Sequence, residues 1–132
     1  MTASVQVEEV KNDLPNPDMW GYLKVKDSEA SRLELIGWVL GARSEVERVE
    51  IVADGRVVAS TKPSLPRAEI GAEFPDRPVA ANCGFELTIE AKGKGTSHLL
   101  VRAVLEDGSE AAMGEVRVVA PGRRWPGILR RP

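Results

Sequence analysis

Histidine and cysteine, the usual zinc ligands and frequent catalytic residues, are rare in this sequence. His98 is the only histidine and Cys83 the only cysteine among 132 residues. Structural zinc needs four nitrogen or sulfur ligands and catalytic zinc three protein ligands, so a zinc site is nearly excluded. No Gly-x-Ser-x-Gly turn presents a serine nucleophile. We therefore expect no catalytic residue, metal or cofactor, and we expect Cys83 to be a buried, inert thiol.

Carboxylates and arginines alternate in one proline-rich stretch, which contains Arg67, Glu69, Glu73, Asp76 and Arg77. Two carboxyl groups at a suitable separation can cleave a glycosidic bond as general acid and base. Acidic residues make up 20 of the 132 positions, however, so a pair in one loop is expected by chance. We interpret these residues as ion pairs at the surface, or as contacts that fix the loop to the rest of the domain.

A ligand site is predicted around two aromatic residues. Trp20 and Tyr22 are two positions apart, so on a strand both side chains project from the same face. Such a pair could stack against a sugar ring, or it could cover the edge of the sandwich, and we favour the second interpretation. In the first case Arg67, Glu69 and Arg77 would supply the polar groups that complete a glycan site.

Composition limits the class of protein. Hydrophobic residues make up 42% of the chain and the net charge is −2, so the domain lacks the basic surface typical of nucleic-acid binding. No apolar run approaches the roughly 18 residues that span a membrane, and the first residues do not resemble a signal peptide. A single cysteine excludes an internal disulfide. These features predict a globular cytoplasmic domain with no membrane span.

Period-two hydrophobicity predicts strands along most of the chain. Leu33 and Leu35 share one face of a strand, while Ile36, Trp38 and Leu40 share the other. This change of phase predicts either burial on both faces or a bulge near Gly37. We expect Trp38 to pack between two sheets.

Turn chemistry separates the strands. Asp54-Gly55 is typical of a type I′ hairpin, and the alternation that begins at Phe85 is typical of a half-exposed antiparallel strand whose apolar side chains enter the core. About seven strands and no convincing helix predict an all-β fold, a two-sheet antiparallel immunoglobulin-like sandwich, over residues 19–120. Residues 1–18 contain two prolines that interrupt regular structure and are interpreted as a linker or loosely attached arm.

Two segments do not fit the hairpin pattern. Residues 62–82 contain four prolines and form a connection long enough to be a Greek-key crossover between sheets or a binding loop. We favour the crossover because this fold class needs one. Residues 121–132 are interpreted as a basic linker or tail, with an anion-binding arm as the alternative.

The order of these features resembles a known family, the small β-sandwich modules attached to bacterial glycosyltransferases and related methyltransferases. The resemblance covers about residues 32–119 and depends on four motifs: Gly37-Trp38-Val39-Leu40-Gly41, the hairpin at Asp54-Gly55, Arg67-Ala68-Glu69-Ile70, and Gly84-Phe85. Glu69 stands where aspartate is more usual in that family, and Ile70 where valine is. The resemblance implies a non-catalytic accessory domain beside a flanking catalytic domain, and it supplies no ligand site.

Three functions remain open from the sequence. The leading one is an accessory module that positions a catalytic domain or binds glycans for it. The second is a protein–protein interaction module without affinity for sugars. The third, a small hydrolase acting through the loop carboxylates, is the least favoured because the necessary groups are not grouped by any motif.

Overall fold

The computed structural model describes residues 6–29, 32–90 and 94–121. Within these ranges, eight strands, one α-helix and one 3₁₀ helix follow in chain order: β1 (Gln6–Asn12), β2 (Met19–Glu29), β3 (Arg32–Gly41), β4 (Val46–Ala53), β5 (Arg56–Thr61), α1 (Ala68–Glu73), the 3₁₀ helix (Pro78–Asn82), β6 (Gly84–Glu90), β7 (Lys94–Leu105) and β8 (Glu110–Pro121). Neither helix has the length and apolar character needed to cross a bilayer. The predicted tail, residues 121–132, lies outside the described residues except for Pro121.

The strands form two antiparallel sheets, which confirms the predicted all-β sandwich. The large sheet has the order β1-β8-β7-β4-β5 and the small sheet has the order β2-β3-β6. Taken from β2 onward, these orders correspond to strands G-F-C-C′ and A-B-E of an immunoglobulin-like sandwich, with β1 added beside the last strand. The main core lies between the sheets and includes Leu35, Ile51, Phe85, Val101 and Met113.

The interpretation of residues 1–18 as a linker or arm is wrong for Gln6–Asn12, which forms the edge strand β1. A β-bulge interrupts the period-two alternation of this strand, because the register shifts between Val7 and Glu9. Val7 pairs with Val118 and Val10 with Val116, so two valines three positions apart lie on the same side of the sheet. The prolines come later, in the connection to β2.

The predicted absence of helix is also wrong, although only locally. Both helices lie in the crossover, and both are short. A helix of six residues has little intrinsic stability, and no side chain caps the N-terminus of α1. Both helices are stabilised by packing of Ile70 and Ala80 against the small sheet. Because this stabilisation comes from tertiary contacts, the local sequence does not need a clear helical pattern.

Candidate functional site

The outer face of the small sheet is partly covered by the crossover. Leu35 and Val39 of β3 enter the core between the sheets, whereas Trp38 and Leu40 project from the opposite face. There they join a second apolar cluster, in which Leu40, Ile70, Ala80 and Cys83 are buried and Trp38 and Phe74 pack against them. The segment between β5 and β6 therefore acts as a lid on this face.

The expectation that Trp38 packs between the sheets is wrong. Its position in the alternation already assigned it to the face opposite Leu35, and the pairing of β3 with both neighbours runs through Gly37 without a shift. Of the two alternatives left by the sequence, burial on both faces is confirmed and a bulge at Gly37 is not found.

Gly84 lets the crossover lie close to the sheet. Leu65 exchanges two backbone hydrogen bonds with Gly84, with N···O distances of 2.9 and 3.0 Å. A Cβ atom at Gly84 would lie 3.0 Å from Cγ of Arg67 and 3.0 Å from the carbonyl oxygen of Leu65. Such contacts are tighter than ordinary packing, so a side chain here would push the crossover away from β6.

Four aromatic side chains form what we call the aromatic ledge: Trp20, Tyr22, Trp38 and Phe74. Tyr22 pairs with Trp38 across β2 and β3, and Trp20 pairs with Leu40. The rings of Trp20 and Phe74 have centroids 5.1 Å apart and are tilted by 42°, a favourable geometry for aromatic rings. Trp20 is 36% exposed and Tyr22 53%. Trp20 thus covers the crossover, while Tyr22 presents the more open ring.

An ion pair lies across the sheet from the aromatic ledge. Arg67 donates from Nε and Nη2 to Oε2 of Glu69, at 3.1 and 3.0 Å. Its side chain passes over Gly84, which pairs with Trp38, which in turn pairs with Tyr22. Strands lie about 4.8 Å apart, so about 10 Å separates the Gly84 and Tyr22 backbones.

Electrostatics make Glu69 an acceptor rather than a proton donor. Hydrogen bonds from its own backbone amide and from Arg67 lower the pKa of the Glu69 carboxyl below its ordinary value. A general acid for glycoside cleavage requires a raised pKa. The ionised pair therefore offers hydrogen-bonding groups to a ligand and gives no support to hydrolysis at this carboxyl.

Arg77 does not join this surface. Its Nη2 atom donates to the carbonyl oxygen of Gly41 at 2.7 Å and to Oε1 of Glu45 at 2.9 Å. Both bonds fasten the crossover to the connection between β3 and β4, as one of the sequence interpretations of the loop residues expected. The structure thus brings Trp20, Tyr22, Arg67 and Glu69 to one face and leaves Arg77 outside the group.

Sequence reasoning missed two members of the aromatic ledge. Trp38 was expected in the core; its phase in β3 separates it from Leu35 but does not show which face the crossover covers. Phe74 had no such signal, because only the path of the crossover brings it to Trp20.

The remaining reactive groups are dispersed. Cys83 is buried, as expected, and burial raises the pKa of its thiol, which disfavours the nucleophilic thiolate. Nδ1 of the exposed His98 lies 3.9 Å from Oε1 of Glu115 on the large sheet, away from the aromatic ledge. Within the described ranges, no three His, Cys, Asp or Glu residues are grouped to hold a metal ion.

The aromatic ledge with the Arg67–Glu69 pair is therefore the best candidate site for binding. It combines an exposed ring with hydrogen-bonding groups on one face of the small sheet. Comparison with protein families found no matching family, and comparison with curated proteins found no significant relative.

Proposed function

We propose that this chain is a non-catalytic accessory module that binds glycans weakly through the aromatic ledge. The observation that carries the proposal is the exposed ring of Tyr22 beside Trp38 on the same sheet face as the Arg67–Glu69 pair. The apolar face of a pyranose packs on an aromatic ring, and its hydroxyl groups accept from a guanidinium and donate to a carboxylate.

An open surface with one well-exposed ring implies low affinity. A monosaccharide has about 12 heavy atoms, and about 0.3 kcal/mol per atom gives roughly −4 kcal/mol, a dissociation constant near 1 mM. Weak binding of this size is useful when a second domain in the same protein engages the same polymer, because linkage raises the effective concentration.

The family resemblance supports this arrangement, with the catalytic domain elsewhere in a longer protein. The buried single thiol is suited to the reducing cytoplasm.

The aromatic ledge is tested by a glycan array, followed by NMR titration of the hits. We expect Tyr22→Ala to abolish measurable binding and Tyr22→Phe to retain it, because stacking needs the ring rather than the hydroxyl. Glu69→Gln should weaken binding severalfold. Binding that survives the combined Trp20→Ala and Tyr22→Ala substitutions would contradict this site.

A protein–protein interaction module is the second candidate. Among the described residues, Leu65 and Val79 of the crossover and Trp20 and Tyr22 of β2 are exposed apolar side chains. Exposed apolar groups that surround one feature favour contact with another protein surface. If the array shows no glycan binding at all, this candidate replaces the first.

A further inference from the structure

A cleft opens between the two sheets at the end of the sandwich opposite the crossover. Its volume is about 620 Å³, within the range typical of small-molecule sites. Its apolar lining comes from both sheets: Ala53, Val58, Ile89, Leu99 and Val118. Three of these, Ile89, Leu99 and Val118, also belong to the main core. The cleft therefore reaches the margin of the main core, whose residues here remain buried.

A β-bulge in β5 shapes one wall of the cleft. Ala59 pairs with Ile51 and Val57 with Val52, so Val58 is the extra residue on β5. A bulge re-aims the side chain of its extra residue. Val57 and Val58 are almost equally exposed, at 48% and 50%, yet only Val58 lines the cleft. The pair offers matched positions for a test.

The polar groups among the lining residues carry both signs of charge. They include the carboxylates of Asp54 and Glu90 and the guanidinium of Arg56. Asp54 and Arg56 take part in no ion pair or side-chain hydrogen bond in the described part of the chain. Asp54 is positioned by the turn, where it has a φ of 53° and is followed by Gly55 at 75°.

This distribution of charge selects among ligands. Glu90 has a partner of its own, which leaves Asp54 and Arg56, of opposite charge, to meet a head group. A charged head group of either sign would be attracted by one of them and repelled by the other, and it would also lose its hydration. An uncharged hydroxyl can donate to Asp54 and accept from Arg56 without that repulsion.

We propose that the cleft binds a small uncharged amphiphile, with its alkyl or aryl group between the sheets and its hydroxyl at Asp54 and Arg56. Burial of the apolar group removes apolar surface from water, and this supplies most of the affinity. The site is separate from the aromatic ledge and does not depend on the proposed glycan binding.

The test uses the full chain, methyl-labelled for NMR, with 1-octanol as the probe. We expect saturable shifts at the methyl groups of Ile89, Leu99 and Val118 and none at Val10, which lies in β1. Octanoate and octylammonium, which have the same chain with charged heads, should bind at least threefold more weakly.

Substitutions at the matched valines separate the cleft from non-specific binding. Val58→Arg should weaken 1-octanol binding at least tenfold, whereas Val57→Arg should change it less than twofold. Should Val58→Arg disturb the fold, Ala53→Leu narrows the cleft without adding charge and should have the same direction of effect. No saturable shift, or equal effects at Val57 and Val58, would overturn the site, and equal binding of the charged homologues would overturn the uncharged head group.

Discussion

The outer faces of the two sheets are stabilised in different ways. On the small sheet, Trp38 and Leu40 are apolar and are covered by the crossover. On the large sheet, Glu50 projects outward from β4 yet is only 4% exposed, because Arg48 and Arg102 enclose it. The Nε atoms of the two arginines lie 2.7 and 2.9 Å from its two carboxylate oxygens.

The difference shows that the outer face of a sheet can be covered by side chains of the sheet itself or by a segment that folds back over it. Arg48 and Arg102 are on the same strand as Glu50 or on the neighbouring one, so the network forms once β4 and β7 pair. The small sheet instead depends on a segment that must fold back over it. Its stability is therefore coupled to the crossover, and the aromatic ledge depends on that coupling because Phe74 belongs to the crossover.

The largest expected effect is at Trp38. Trp38→Ala should destabilise the domain by about 3 kcal/mol, the low end for loss of a large aromatic side chain, since Trp38 is only half-buried. Hydrogen exchange measures whether the loss is local. The amides of Ile70 and Gly71, which donate to Arg67, should exchange faster, while those of β7 should change only with global stability. If protection falls equally everywhere, the lid and the core are one unit.

A smaller effect is expected at Arg77, whose hydrogen bonds to Gly41 and Glu45 form the clasp between the crossover and the end of β3. Arg77→Met should cost about 2 kcal/mol, because it removes two hydrogen bonds that involve a charged group. Chemical denaturation measures this loss. Arg43→Met is a matched control, since Arg43 forms an exposed ion pair with Asp18 and should change stability by less than about 0.5 kcal/mol. Equal losses in the two variants would contradict the clasp.

Glu50 provides the corresponding test on the large sheet. Hydrogen bonding from Arg48, with a further hydrogen bond from Arg102, lowers the pKa of Glu50 below its ordinary value. A lowered pKa in the folded state means that the stabilisation is complete at neutral pH and is lost as the pH falls through the folded-state pKa. Glu50→Gln should cost about 1.5 kcal/mol at pH 7, a low value because both guanidinium groups reach solvent.

The pH dependence gives the measurement. Denaturation of both proteins at pH 7 and pH 3 should show a difference in unfolding free energy that shrinks at the lower pH. A difference that does not change with pH would mean that packing of the side chain, rather than its charge, stabilises this face.

The smallest expected effect on stability is at Tyr22. Tyr22→Ala should change the unfolding free energy by less than about 0.5 kcal/mol, because more than half of the side chain is exposed. Thermal unfolding measures this, and the same variant should lose glycan binding. A large loss of stability would mean that Tyr22 covers the fold and is not part of a binding surface.

Local patterns predicted most of the sandwich. The turn at Asp54-Gly55 is where the hairpin β4–β5 was expected, since few residue pairs accept positive φ at both positions. The alternation from Phe85 predicted β6 and its buried face. The pattern at Val7 and Val10 did not predict β1, because a bulge that depends on pairing with β8 changes the period.

The candidate site was predictable only in part. The spacing of Trp20 and Tyr22 placed them on one face, and the phase of Trp38 placed it on the face opposite Leu35 without showing which of the two faces the other sheet covers. No spacing could show that Arg77 would turn to Gly41 and Glu45 while Arg67 lies over Gly84. Those contacts join positions 36 and 32 residues apart for Arg77, and they depend on the path of the crossover.

The sequence by itself determined the strands other than β1, the turns between them and the faces that are apolar, because these follow from the chirality of the backbone and from the period of the side chains. Tertiary structure decided which apolar face meets the other sheet and which meets the crossover. It also decided that Glu50 would be enclosed by two arginines and that a cleft would remain beside Val58. Such outcomes depend on contacts between residues distant in the chain, and local preferences do not encode those contacts.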